Sequence, residues 1–211
     1  MIYEREPSRI YELSFQAVRS EAQLGRFSED TGELVIRLIH ACGMTDIADG
    51  IACTPDCTAA GRAALAAGAT ILCDVEMVAS GIIRRGPAAS ANIVTTIGHP
   101  ETSAIAERIC NTRSAAAVEL WREHLAGSIV AIGNAPTALF HLLELLDQGW
   151  PKPAVILAFP VGFIGAAESK AELAANPRGV PFITLNGRRG GSAMASAAVN
   201  ALSLGLAGDG R

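Results

Sequence analysis

The stretch from Gly127 to Leu146, GSIVAIGNAPTALFHLLELL, constrains the fold more than any other part of the chain. It opens with Ile129-Val130-Ala131-Ile132 and passes through a small-residue turn, Gly133-Asn134-Ala135-Pro136-Thr137. Leu139, Phe140, Leu142, Leu143, Leu145 and Leu146 then recur at helical spacing, so the pattern reads strand, tight turn, helix. A strand apolar on both faces belongs inside a parallel sheet covered by helices. In such sheets ligands sit beyond the carboxyl ends of the strands, where this turn would lie. A helix N-terminus there offers free N–H groups and a partial positive charge to an anion. A purely structural βα junction with Pro136 in the first helical turn would have the same sequence.

The remaining segments fit that frame. Residues 8–24 form an amphipathic pattern with Ser8 as the expected cap, and polar Ser14 interrupts its apolar stripe. A second helix is expected from Ser28 to Gly43, with Leu34, Val35, Leu38 and Ile39 buried, Gly43 as C-cap and His40 in the last turn. An extended segment at Ile51–Cys53 precedes an Ala-rich helix that ends at Gly68. Strands follow at residues 70–73, stopped by Asp74, and at Asn92–Ile97, with a short helix at Glu76–Ser80 between them. Helices at Thr102–Ile109 and Ser114–Leu125 lead into the central strand. After its helix come a buried strand at Ala154–Phe159, a helix at Glu168–Ala175, a strand at Phe182–Leu185 and a final helix opened by Gly190-Gly191-Ser192. The tail after Leu204 is expected to fray. Strands alternating with helices indicate a three-layer α/β/α sandwich with a mainly parallel sheet. With no internal repeat and no linker, residues 1–211 read as one domain.

Composition narrows the function. Half the residues are hydrophobic, yet no apolar run could span a bilayer, and the charged start lacks a signal-peptide core, so a soluble cytoplasmic protein is expected. A net charge of -4 argues against a nucleic-acid partner. The five cysteines form no CxxC pair, and the CxxxC of Cys53 and Cys57 has no second pair or nearby His to complete a zinc site, so reduced thiols and no metal are expected. Fifteen Arg against only Lys152 and Lys170 would suit a polycarboxylate ligand, because Arg binds carboxylates as a bidentate fork.

Turns at Asp74, at Gly133–Thr137, along Pro160–Lys170 and at Arg188–Ser192 should gather on one sheet edge and line one cleft. That cleft would be rich in backbone N–H groups and Arg and poor in acid/base side chains. No dinucleotide fingerprint, P-loop, nucleophile elbow or HExxH is present. Ser192 has no evident His partner and reads as a helix cap. Of the four histidines, His99, His124 and His141 read as structural or exposed. A histidine in the last turn of a helix, like His40, has its cationic form favoured by the dipole.

Six stretches taken together carry a family resemblance: RLIHACG at Arg37–Gly43, ILCDVEMV at Ile71–Val78, NTRSAAA at Asn111–Ala117, VAIGNAPTALF at Val130–Phe140, PVGFIGAAESK at Pro160–Lys170 and GGSAMA at Gly190–Ala195. Together they closely resemble the precorrin-8X methylmutases of cobalamin biosynthesis, from Ile10 to about Leu204. The resemblance implies a flavodoxin-like fold and a homodimer with sites near its interface. The implied reaction moves a ring-C methyl group of precorrin-8X to the adjacent carbon, C-11 to C-12, giving hydrogenobyrinate by a sigmatropic shift that needs no cofactor. The family's catalytic histidine falls on His40, and its polar contacts on Ser14 and Arg113. A flat macrocycle fringed with carboxylates needs an apolar slot with a rim of donors. Arg113, the turn residues Asn134, Ala135 and Thr137, and Gly190, Gly191 and Ser192 are the expected rim. Members often show a Thr shortly after the MVA-x-G turn, where this chain has Ile82-Ile83. A non-catalytic tetrapyrrole carrier using the same cleft is the alternative reading.

Overall fold

The computed structural model describes residues 1 and 3–205. The expectation of a frayed tail concerns residues that, beyond Gly205, lie outside the described ones. Six strands form one sheet: β1 (Ile51–Cys53), β2 (Ile71–Cys73), β3 (Ile93–Thr95), β4 (Ile129–Ile132), β5 (Val155–Ala158) and β6 (Phe182–Leu185). Their order is β1-β6-β5-β4-β2-β3. All neighbours are parallel except β1, which pairs antiparallel with β6 at the edge. The five parallel strands, counted in chain order, therefore run 2-1-3-4-5, the flavodoxin-like arrangement, whose switch point lies between β2 and β4.

The helices are α1 (Pro7–Glu21), α2 (Glu29–Cys42), α3 (Ile47–Gly50), α4 (Cys57–Ala66), α5 (Glu76–Ser80), α6 (Thr102–Arg108), α7 (Arg113–Glu119), α8 (Arg122–Leu125), α9 (Pro136–Asp147), α10 (Ala166–Ala175) and α11 (Ser192–Leu204). Strand residues alternate between two apolar layers. Ile71, Ile129, Val155 and Ile183 pack with Leu34, Leu38, Leu65 and Val199 of α2, α4 and α11, with α1 laid over α2. Leu72, Val130, Ile156 and Phe182 pack on the other face with Leu139, Leu142 and Leu173 of α9 and α10. β4 and β5 are buried at every position, as inner strands covered on both faces must be. No helix among the described residues is long and apolar enough to cross a membrane.

Several boundaries differ from the sequence reading. α1 begins at Pro7 and Ser8 does not cap it; the Ser8 hydroxyl donates instead to Glu6 Oε1 at 2.6 Å. Pro7, with no N–H to satisfy, takes the first helical position. The expected helix at Ser114–Leu125 is two, α7 and α8, broken at Leu120-Trp121. There the fully buried Trp121 turns inward and its Nε1–H donates to Thr96 Oγ1 at 2.9 Å. α3 was not anticipated, and α10 starts at Ala166, two residues earlier than expected.

Candidate active site

His40 is fixed by its own helix and by α1. Ser28 caps α2 by accepting from Thr31 N, and Gly43, at φ 69°, ends it with its N–H on Ile39 O at 2.7 Å. This places His40 in the last turn. Tyr11, Ser14 and Phe15 share one face of α1 at i, i+3 and i+4, and all three meet His40. Ser14 Oγ lies 2.8 Å from His40 Nδ1, and the Tyr11 and Phe15 ring centroids stand 5.4 Å and 5.3 Å from the imidazole. Ser14 interrupts the apolar stripe because it faces a polar atom. Sequence reasoning missed Tyr11, although its spacing from Ser14 was the available signal.

His40 lines a cleft of about 350 Å³ together with Tyr11, Arg37, Met77, Gly81, Ser196 and Asn200. The far wall is held by Asn200, whose Nδ2 donates to Gly81 O at 3.0 Å and whose Oδ1 accepts from Ile83 N at 2.8 Å. Arg37, buried beneath, donates from Nε and Nη2 to Gly205 O at 3.0 Å and 2.6 Å. Ala193 and Ala197 of α11 keep one wall low. The cleft thus joins a held imidazole to a largely apolar surface, which suits proton transfer to a flat ring. None of Met77, Ser196 and Asn200 was anticipated, because they converge only through tertiary packing.

The turn after β4 is not an open anion site. The carboxylate of Asp74, at the end of β2, accepts from the backbone N–H groups of Gly133, Asn134 and Ala135 at 2.9, 2.9 and 3.0 Å. The chain has filled its own switch-point donor nest. This corrects the expectation of free N–H groups there: of the three turn residues expected at the rim, Asn134, Ala135 and Thr137, the first two have their backbone donors taken by Asp74. Burial raises the Asp74 pKa, and the three N–H bonds pull in the opposite direction. The same turn packs so closely on α11 that a Cβ on Gly133 would lie 2.7 Å from Ser192 Cα.

Ser14 is the one expected contact in direct touch with His40. Thr137 and Thr112 share a hydroxyl hydrogen bond of 2.8 Å, beside exposed Arg113, whose Nη2 donates to Ile97 O at 2.9 Å. α7 and α9 contact each other on the face opposite α2, so Arg113 and Thr137 do not line the His40 cleft. Gly190, Gly191 and Ser192 lead into α11, whose Ala193 lines the His40 cleft. A Cβ on Gly190 would fall 2.6 Å from Pro160 O, so only glycine fits. Lys170 is fully buried beneath this loop and donates to Arg189 O at 2.5 Å; burial lowers its pKa to about 8. Ser192 begins α11 without a side-chain cap bond, contrary to expectation. His141 is structural, lying 2.7 Å from Glu119 Oε1 and 3.2 Å from Glu144 Oε2. A larger cleft, of about 570 Å³, lies at the β1 edge and shares no lining residue with the His40 cleft.

The family described as CbiC: Precorrin-8X methylmutase matches residues 9–204. The precorrin-8X methylmutase of Pseudomonas aeruginosa is 57% identical over 201 residues, covering 95% of this chain and 97% of that protein. The cobalt-precorrin-8 methylmutase of Priestia megaterium is 36% identical over 200 residues, covering 94% and 88%. The crystal structure of a precorrin-8X methylmutase from Thermus thermophilus superposes with a TM-score of 0.84 at 37% identity, covering 96% of this chain and 98% of that one. A chain matched along almost its whole length in sequence and in fold belongs to the precorrin-8X methylmutase family, isomerases of cobalamin biosynthesis.

Proposed function

We propose that this protein moves the ring-C methyl group of precorrin-8X from C-11 to C-12, giving hydrogenobyrinate, with His40 as the general acid. The observation that carries the reading is the imidazole fixed by Ser14, Tyr11 and Phe15 on the wall of an otherwise largely apolar cleft. In the imidazolium form Nδ1–H donates to Ser14 Oγ, and Nε2–H is the proton delivered to a pyrrolic nitrogen of the macrocycle. Protonation makes the conjugated ring electron-poor, which lowers the barrier to methyl migration. Returning the proton to Nε2 completes the cycle, so no net proton is consumed. The C-terminal turn of α2 favours the cationic ring by its dipole. A positioned acid of this kind contributes roughly 10²–10⁴-fold in rate.

Arg113, the Asn134 side chain, Thr137 and the Gly190–Ser192 loop are assigned to the carboxylate arms of the substrate, outside the cleft that holds the reacting edge. The active protein is read as a cytoplasmic homodimer without nucleic-acid or membrane partners. Metal-free precorrin-8X is preferred over its cobalt form, because the relative named for the metal-free substrate is 57% identical and the one named for the cobalt form is 36% identical.

The test is incubation with precorrin-8X while the visible spectrum is recorded, repeated with the cobalt-containing analogue. Wild type should turn over the metal-free substrate faster. His40→Ala should lose at least about 10²-fold in turnover while retaining its fold and much of its product affinity. Near-normal turnover by His40→Ala removes the acid assignment. Product binding by wild type without any turnover favours the carrier instead.

A further inference from the structure

The β1-edge cleft, on which methyl transfer makes no demand, carries two cysteines. Cys53 ends β1 and Cys57 opens α4, with Thr54-Pro55-Asp56 between them. The connection is tight: Cys57 N–H donates to Thr54 O at 3.3 Å. Cys53 is half-buried and lines the cleft of about 570 Å³, and Cys57, four residues on, is buried. The Cys53 and Cys57 thiols interact electrostatically across this turn, and the Cys57 sulfur also lies 3.8 Å from Thr58 Oγ1. Two charged side chains line the cleft, Arg26 and Asp49. Arg26 is held by backbone: its Nη2 donates to Ala48 O and Ile51 O at 2.6 Å each, and no carboxylate among the described residues pairs with it. Its positive charge therefore acts on the Cys53 sulfur.

We propose that Cys53 and Cys57 form an oxidisable dithiol, in which Cys53 attacks a small hydroperoxide entering through this cleft and Cys57 resolves the product as a disulfide. The Cys53 thiolate forms a sulfur–oxygen bond as the peroxide O–O bond breaks. Sulfur is oxidised to sulfenic acid, and the leaving hydroxide takes a proton to become water. The Cys57 sulfur then forms the S–S bond, and the sulfenic oxygen leaves as water with the Cys57 proton. One hydrogen peroxide and two thiols thus give one disulfide and two waters. The cleft gives the attacking sulfur access, and the tight connection through Thr54-Pro55-Asp56 keeps the resolving cysteine close in the chain.

The electrostatics agree with these roles. The hydrogen bond from Cys57 lowers the Cys53 pKa to about 7, against the effect of burial and with help from Arg26. The same contact, together with burial, pushes the Cys57 thiol up, so it stays protonated until it resolves. A thiolate, not a thiol, is the nucleophile, which selects Cys53 for the first step. Burial pushes the Cys73 thiol up to about 12 and raises that of Cys42, so neither competes.

The experiment uses the reduced full chain at pH 7 with hydrogen peroxide, then alkylation and fragmentation mapping of the Leu38–Arg62 tryptic peptide, which also carries Cys42. Expected is loss of two hydrogen masses located between Cys53 and Cys57. Without peroxide, the iodoacetamide rate at Cys53 should rise with a midpoint near pH 7, and Cys57→Ala should move that midpoint up by about one unit, towards the ordinary thiol value of about 8.5. Cys57→Ala should also accumulate a dimedone-trapped sulfenic acid at Cys53. The proposal is overturned if peroxide oxidises exposed Cys110 while Cys53 and Cys57 stay reduced. It is equally overturned if Cys53 alkylation follows the same pH profile in the folded and urea-denatured wild-type protein, a comparison that needs no variant to fold.

Discussion

Lys170 shows what one buried charge does to this protein. Its ammonium is fully buried and its hydrogen bond goes to a carbonyl, Arg189 O, rather than to a carboxylate. Burial alone lowers its pKa to about 8. Below that pH both folded and unfolded chains carry the charge, and the folded state bears the full cost of burying it. Between pH 8 and the unfolded value of about 10.4 the folded chain has lost the proton and the unfolded chain has kept it. The unfolded state then binds more protons, so stability rises with pH in this window. Measured against Lys170→Met by urea unfolding, wild-type stability should gain on the order of 3 kcal/mol between pH 7 and 10.5. A difference that stays flat over that range would mean that Lys170 keeps an ordinary pKa. Below pH 8 the cost is tolerated because the ammonium ties α10 to the Arg188–Ser192 loop.

At the scale of elements, the Asp74 carboxylate joins the end of β2 to the turn between β4 and α9. It satisfies three N–H groups that an α/β fold commonly offers to a ligand at the switch point. Asp74→Asn keeps the shape but brings an amide NH₂ against backbone donors, leaving at least one buried N–H unpaired. The expected cost is about 2–4 kcal/mol, read as a lower urea midpoint by the fluorescence of buried Trp121. A variant as stable as wild type would show that water can replace the carboxylate. Asp74 also marks the limit of sequence reading. Local chemistry made α2 and β4 legible: Ser28 and Gly43 bracket the helix, and Ile129–Ile132 is apolar throughout. The Asp74 contact spans about sixty residues and leaves no local pattern. The break at Trp121 was invisible for the same reason, since it is set by Thr96 across the fold. The RLIHACG motif located His40, but only packing of α1 on α2 reveals that Tyr11 and Phe15 hold it.

At the scale of the molecule, the cleft and the proposed substrate differ in size. Pockets that enclose a drug-sized ligand measure roughly 300–1,000 Å³, and the His40 cleft, at about 350 Å³, is at the small end. A tetrapyrrole with acetate and propionate arms is larger than such a ligand. The cleft can therefore seat only the reacting edge, and the rest of the ring must lie on surface beyond it. Part of that surface is apolar: Met77, at the cleft mouth, is 72% exposed, and Ile10 and Leu13 on the outer side of α1 are 45% and 40% exposed. A second protomer would cover the ring and these side chains together. On the proposed dimer, product bound at such a shared surface would strengthen the assembly, because a ligand that binds only the assembled form stabilises it by RT ln(1 + [L]/Kd). At a hundredfold excess over Kd this is about 2.7 kcal/mol per site, close to a hundredfold in the dimer dissociation constant. Light scattering at micromolar concentration should give twice the chain mass. Dilution to a concentration where protomers separate should be reversed by hydrogenobyrinate. A monomer that retains full turnover, or a dimer whose dissociation ignores product, would place the whole ring on one chain and assign its coverage to Arg113, Thr137 and the Gly190–Ser192 loop instead.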